Sequence, residues 1–239
     1  MIVGLDCSRI GQTRKERNYV MVSSYDEHCS KYYTTIERGE DTGIAPVGSM
    51  LTNSLKQFYN NRKFLPLYIF IYRSGSSERE KELILEMEVK QIVDLLSGTN
   101  SDFLKDYKPK LCFIIVNKKI ELKFFENNNN SGFDNPRGGT VIDTTVVNPN
   151  IYEFYIQPQY VNMGTATPTN FHVIYDNTKV PCEYLQELTY QLCFYYFNWN
   201  GPIRIPAPLK YAEVCNKFAT ANLTSSVDED RLKLSAYYI

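Results

Sequence analysis

The sequence predicts a mixed α/β domain, and three observations predict it. Short continuous apolar runs, Leu67–Tyr72 and Leu111–Val116 among them, read as strands buried on both faces. Between and after them lie segments whose apolar residues recur three and four apart, the spacing of a helix with one buried face. No shift in composition marks a domain boundary in the 239 residues, so strands and helices belong to one unit large enough to bury a sizeable core.

The first strand, Ile2–Leu5, runs straight into Asp6. A charge at the end of a buried strand is costly unless compensated. Two readings stand: a divalent-metal ligand of the kind nuclease folds use, or a carboxylate that ends the strand and accepts backbone hydrogen bonds. A polar, basic hairpin, Gly11–Arg17, leads to strands Tyr19–Tyr25 and Lys31–Ile36, rich in aromatic and β-branched residues, and the three strands form an antiparallel meander. After a Gly/Pro loop, Val47, Met50, Leu51, Leu55, Phe58 and Tyr59 repeat at helical spacing.

Leu67–Tyr72 is the central strand. Arg73–Glu78 is a turn in which Ser76 or Ser77 caps the next helix, with acidic residues favoured in its first turn. That helix places Leu85, Val89, Ile92, Val93 and Leu96 on one face and ends at Gly98. The buried strand Leu111–Val116 finishes in Asn117-Lys118-Lys119, and Asn127–Gly132 reads as a low-complexity surface loop. Short strands follow at Gly139–Asp143, Phe154–Ile156 and Phe171–Tyr175, then helices from Glu183 to Phe197 and from Leu209 to Asn222. Antiparallel strands early and strand-helix-strand units later make the sheet mixed.

Charge and cysteine content narrow the function. Twenty-six basic and 27 acidic residues leave a net charge of -1, so any surface for nucleic acid must be local. The six cysteines are widely spaced, with no CxxC pair, which suits reduced thiols in a cytoplasmic or nuclear compartment. Two histidines do not make a histidine-rich zinc site. No signal peptide and no apolar run of membrane-spanning length is present, so a soluble intracellular protein without membrane contact is expected.

Several phrases then fall into a familiar order. They are Gly4-Leu5-Asp6, Ile71-Tyr72-Arg73-Ser74-Gly75-Ser76-Ser77-Glu78, Val116-Asn117-Lys118-Lys119 and Gly139-Thr140-Val141-Ile142-Asp143. Pro168–Val173, Leu188–Cys193 and Asn198-Trp199-Asn200-Gly201-Pro202-Ile203-Arg204-Ile205-Pro206-Ala207-Pro208 follow, with Tyr211-Ala212 after them. Together these resemble the PIWI domain of the Argonaute/Piwi family. The Asn-Trp-x-Gly form and the aromatic end Tyr237-Tyr238-Ile239 look closer to the Piwi branch. The resemblance covers essentially the whole chain, 1–239, and implies an RNase H-like mixed sheet flanked by helices. The family's N-terminal, PAZ and MID regions have no counterpart in these residues.

The resemblance also implies a site. Active members cut target RNA with carboxylates that hold two divalent metals, Mg²⁺ or Mn²⁺. Asp6 matches the first ligand. Ser74 stands where the second aspartate belongs, and Glu213 stands at the position after Tyr-Ala that usually carries His or Asp. The family's glutamate finger falls near Glu40 to Gly43; the register points to Thr42, with Glu40 and Asp41 beside it. Glu78, one turn beyond Ser74, reads as a helix-capping acid. A hydroxyl ligates a hard cation poorly, so efficient cleavage is not expected. Positions matching guide-RNA contacts are Lys118, Lys123, Gln159, Tyr196, Arg204 and Lys210. The terminal carboxylate of Ile239 matches a metal ligand at the guide's 5′ phosphate, where Phe218, beside Lys217, replaces a basic residue. The implied role is small-RNA-guided silencing through binding of a guide and its complementary target RNA. The alternatives are an active slicer using Asp6, Glu213 and a rescuing acid, and a module that binds tryptophan-bearing silencing partners without RNA.

Overall fold

The computed structural model of the chain describes residues 1–10, 16–75, 78–97, 102–128, 132–222 and 232–239. The strands in chain order are β1 (Ile2–Ile10), β2 (Glu16–Ser24), β3 (Tyr32–Glu40), β4 (Tyr68–Ser74), β5 (Lys110–Asn117), β6 (Glu126–Asn128), β7 (Gly132–Asp134), β8 (Thr140–Ile142), β9 (Glu153–Gln157) and β10 (Thr169–Asp176). Eight of them form one sheet in the order β3-β2-β1-β4-β5-β10-β9-β8. The opening three make the expected antiparallel meander. β1, β4 and β5 run parallel at the centre, and β10, β9 and β8 continue the sheet antiparallel.

Continuous apolar runs form the central strands because both faces of the sheet are covered. Ile69, Ile71, Leu111, Phe113 and Ile115 pack on one side, against Met50, Leu51, Ile84 and Ile92. Their neighbours Phe70, Tyr72, Cys112, Ile114 and Val116 pack on the other, against Leu185, Leu192 and Leu209. The first side is built from α1 (Val47–Arg62), α2 (Glu78–Leu83), a π-helical turn (Ile84–Val89) and α3 (Lys90–Leu96); the second from α4 (Cys182–Leu192) and α5 (Ala207–Asn222). Gly4 is required by this packing: a Cβ there would lie 2.2 Å from the carbonyl carbon of Pro208, so α5 could not seat on β1.

Register brings three positions together, although Asp6 does not end its strand as expected: β1 leaves β4 after Leu5 and runs on to Ile10 against β2. Leu5 lies opposite Arg73 and Ser74 opposite Val116. Asp6, Ser74 and Asn117 therefore sit along one edge, at the carboxyl ends of the parallel strands where open α/β sheets place their ligands.

Several expected features differ in detail. The 78–97 helix buries Ile84, Glu88, Val89, Ile92 and Leu96, whereas Leu85 and Val93 face outward. The wide π turn adds a residue to the helical repeat and rotates the face that follows. Tyr59 is likewise exposed on α1, whose other periodic residues are buried.

α4 stops at Leu192, five residues before the expected end at Phe197. The Tyr211 hydroxyl accepts the Phe197 N–H and donates to the Tyr195 carbonyl, each at 2.9 Å, taking backbone groups that a longer helix would use. α5 begins two residues early, at Ala207, with Pro208 in the first turn, where a missing N–H costs nothing. The flanks of the asparagine run pair as the hairpin β6–β7. Residues 129–131, the expected caps Ser76 and Ser77, the helix end at Gly98 and residues 11–15 of the first hairpin lie outside the described residues. All six cysteines are free. Among the described residues no helix is long and apolar enough to cross a membrane.

Candidate functional site

Asp6 ends the buried part of β1 and is 6% exposed. Its Oδ2 accepts hydrogen bonds from Asn216 Nδ2 at 2.8 Å and from Ser8 Oγ at 3.0 Å. Asn216, fully buried on α5, also spans to the backbone oxygens of Asp6 and Asn18, each at 3.4 Å. Ser74 is next door: the Cys7 N–H donates to its Oγ at 3.4 Å. The half-buried Cys7 thiol is pushed up to about 12 by desolvation, the largest influence on it, so it stays neutral beside Asp6. After Ser74 the chain must be glycine, since a Cβ on Gly75 would come within 2.0 Å of Asn117 Oδ1 and 2.7 Å of the Val116 carbonyl.

Beneath Ser74 lies a buried ion pair. Arg73 donates from Nε and Nη2 to the two carboxylate oxygens of Glu88 at 2.9 and 3.1 Å. The same guanidinium holds the carbonyls of Ser74 and Gly43, and Glu88 accepts the Ala45 N–H at 2.9 Å. Burial alone would lower the arginine's pKa; the surrounding anionic groups, Glu88 included, reverse this and hold it charged. The pair thus staples the 41–46 loop to the strand end that carries Ser74.

Within that loop Thr42 is exposed, with its Oγ1 3.4 Å from the Tyr19 hydroxyl, and Glu40 ends β3. Asp41 is bound between Arg9 and Arg17, at 2.7 and 2.6 Å. None of the three reaches Asp6 through a hydrogen bond in the described residues. The side chain of Glu78 lies outside them.

Glu213 sits on α5, one turn before Asn216, and is 9% exposed. It is ion-paired with Lys118, which follows β5. Arg204 completes a cluster: its Nη2 donates to the Lys118 carbonyl at 2.9 Å and to that of Pro168 at 3.3 Å. Burial lowers the Arg204 pKa, only partly opposed by the charge of Glu213. Its Nε is buried without an acceptor among the described residues.

Of the other matched positions, Gln159 donates to the Pro202 carbonyl at 2.9 Å, two residues from Arg204. Lys210 and Tyr196 form a separate pair, the ammonium 5.9 Å from the ring centroid. Lys123 donates to Thr167 Oγ1, on the residue before Pro168. Ile239 follows the buried Tyr238, whose hydroxyl meets Thr34 Oγ1 at 3.0 Å, while Tyr237 packs edge-on against Phe218. No hydrogen bond or ion pair among the described residues joins Ile239 to Asp6 or Glu213.

The donor set does not fit a pair of divalent ions. Such ions need several anionic oxygens free to ligate. Here Ser74 is neutral, one oxygen of Asp6 is taken by Asn216 and Ser8, and Glu213 and Asp41 are bound to protein cations. Among the described residues no three His, Cys, Asp or Glu side chains group as a metal site. The unpartnered atom beside Lys118 is an N–H on a cation, which an anionic oxygen can satisfy and a metal cannot.

Glu88 and Asn216, which contact Arg73 and Asp6, are residues that sequence reasoning passed over. Glu88 had a signal, a charge between Ile84 and Ile92 at helical spacing. Asn216 had none.

A mixed sheet with helices on both faces and a carboxylate at the end of its central parallel strands defines an RNase H-like domain. The chain belongs to the Piwi domain family, whose model matches residues 1–224. It is 34% identical to Piwi-like protein 1 of Gallus gallus over 215 residues, covering 89% of this chain and 24% of that protein. It is 30% identical to Protein piwi of Drosophila melanogaster over 242 residues, covering 100% of this chain and 28% of that one. The crystal structure of Drosophila Piwi superposes with a TM-score of 0.87 at 29% identity, over all of this chain and 32% of its own. The Argonaute of Kluyveromyces polysporus, solved with a guide RNA, shares the fold at a TM-score of 0.85 and 23% identity, over all of this chain and 30% of its own. The chain thus spans about a quarter of the length of these curated relatives.

Proposed function

We propose that this domain binds a short guide RNA and the guide–target duplex in small-RNA-guided silencing, and that it does so without efficient target cleavage. The observation that carries the reading is the juxtaposition of Lys118 and Arg204 at the carboxyl edge of the central strands, beside a carboxylate pair from which Ser74 has removed a charge. Cations in that position suit phosphate contacts that fix a duplex without reading its sequence. The Lys210–Tyr196 pair extends the same chemistry toward the C-terminal helix. A cytoplasmic or nuclear setting, a 5′-phosphate role for Ile239 and any Mg²⁺ or Mn²⁺ requirement belong to the whole protein.

A pre-annealed guide–target RNA duplex tests the reading. Affinity that falls steeply with salt, and drops at least tenfold in Lys118→Glu/Arg204→Glu, is expected. Affinity indifferent to both would favour the partner-protein reading, for which Tyr59 and Phe64 offer exposed rings on the α1 side. Target cleavage in Mg²⁺ or Mn²⁺ that disappears in Asp6→Ala would replace the non-cleaving reading with that of a slicer.

A further inference from the structure

We infer that the cation of this carboxylate site is built into the chain: Lys118, with Arg204 alongside, occupies the acceptor capacity that a divalent ion would need. The inference rests on the non-cleaving half of the proposed function and not on RNA binding.

Three contacts carry it. The Lys118 ammonium is ion-paired with the Glu213 carboxylate, its side chain only 37% exposed. The Arg204 guanidinium is anchored to the Lys118 backbone, which fixes a second positive charge within the influence of Glu213. Asn216, one turn along α5 from Glu213, occupies Oδ2 of Asp6 from the buried side. An incoming divalent ion would find one oxygen of Asp6 taken by Asn216 and Ser8 and one oxygen of Glu213 taken by Lys118, and it would sit beside two protein cations that repel it. Replacing the missing aspartate alone restores one negative charge and leaves both protein cations in place. Loss of the metal site is therefore not confined to Ser74; the surrounding residues have closed over it.

The test is Mn²⁺ titration by calorimetry of the unaltered chain, Ser74→Asp, Lys118→Met and the Ser74→Asp/Lys118→Met double variant, with near-ultraviolet circular dichroism to check folding. No saturable binding is expected for the unaltered chain up to millimolar Mn²⁺, and the double variant should bind at least tenfold more tightly than Ser74→Asp. Should Ser74→Asp fail to fold, Lys118→Met alone decides, and it should gain measurable Mn²⁺ binding. Micromolar binding by the unaltered chain that is lost in Asp6→Asn would overturn the inference. So would Lys118→Met leaving Mn²⁺ affinity unchanged in every folded background. Duplex affinity measured in parallel should be no tighter in Mg²⁺ than in EDTA at matched ionic strength, and tighter binding in Mg²⁺ counts against a built-in cation. A duplex that binds in neither condition strikes the proposed function only.

Discussion

Arg73, one residue from the end of β4, and Glu88, one residue from the end of the π-helical turn, meet in the interior through two hydrogen bonds of 2.9 and 3.1 Å. Removing one partner strands the other's charge away from water, which costs about 3–5 kcal/mol. Glu88→Leu and Arg73→Met should each lower stability by that amount in urea unfolding. The double variant should recover a large part of the loss, because no buried charge remains. Recovery should be incomplete, since the Gly43 carbonyl and the Ala45 N–H also lose their partners. Single variants within about 1 kcal/mol of the parent would show that the pair is not a staple.

Glycine positions separate by what surrounds them. Gly4→Ala would drive a methyl into backbone atoms of Pro208 and Leu209 at 2.2–2.3 Å. Helix α5 must move, and the cost should reach or exceed the top of the about 1–3 kcal/mol range for overpacking. Gly75→Ala meets the Val116 carbonyl at 2.7 Å and should lie within that range. Gly39→Ala meets only the Tyr19 ring at 3.8 Å and should be neutral or stabilising by about 0.4–1 kcal/mol. Melting temperatures falling in a different order would contradict the packing of α5 on β1.

Asp41 gives the acid limb of stability a specific origin. Burial alone would raise its pKa, but hydrogen bonds from Arg9 and Arg17 more than offset this and hold it below the usual aspartate range. A carboxylate depressed in the folded state contributes stability that is complete above its unfolded pKa, about 3.9, and is lost as pH falls through the folded value. Asp41→Asn should therefore lower the melting temperature near pH 6, and its difference from the parent should shrink steadily below pH 4. A difference that stays constant from pH 6 to pH 3 would mean that the two arginines do not discriminate the charged form.

Much of the architecture was legible in the sequence, because apolar runs and helical spacing are local signals. The runs Leu67–Tyr72 and Leu111–Val116 have to be central strands in any fold that buries both their faces, and the sheet places them there. The order of short phrases from Gly4-Leu5-Asp6 to Tyr211-Ala212 was enough to point to the family.

What the chain's linear order could not disclose was which charges meet. Lys118 and Glu213 are 95 residues apart, and Asn216 is 210 residues from Asp6. Nothing local records that strand register and the seating of α5 on Gly4 bring them into contact. Glu88 stood out locally as a charge at helical spacing between Ile84 and Ile92, but only the fold shows that it meets Arg73. Residue types determined what chemistry was available; only the tertiary structure, by choosing partners within hydrogen-bond reach, decided that these carboxylates are held by protein cations and amides.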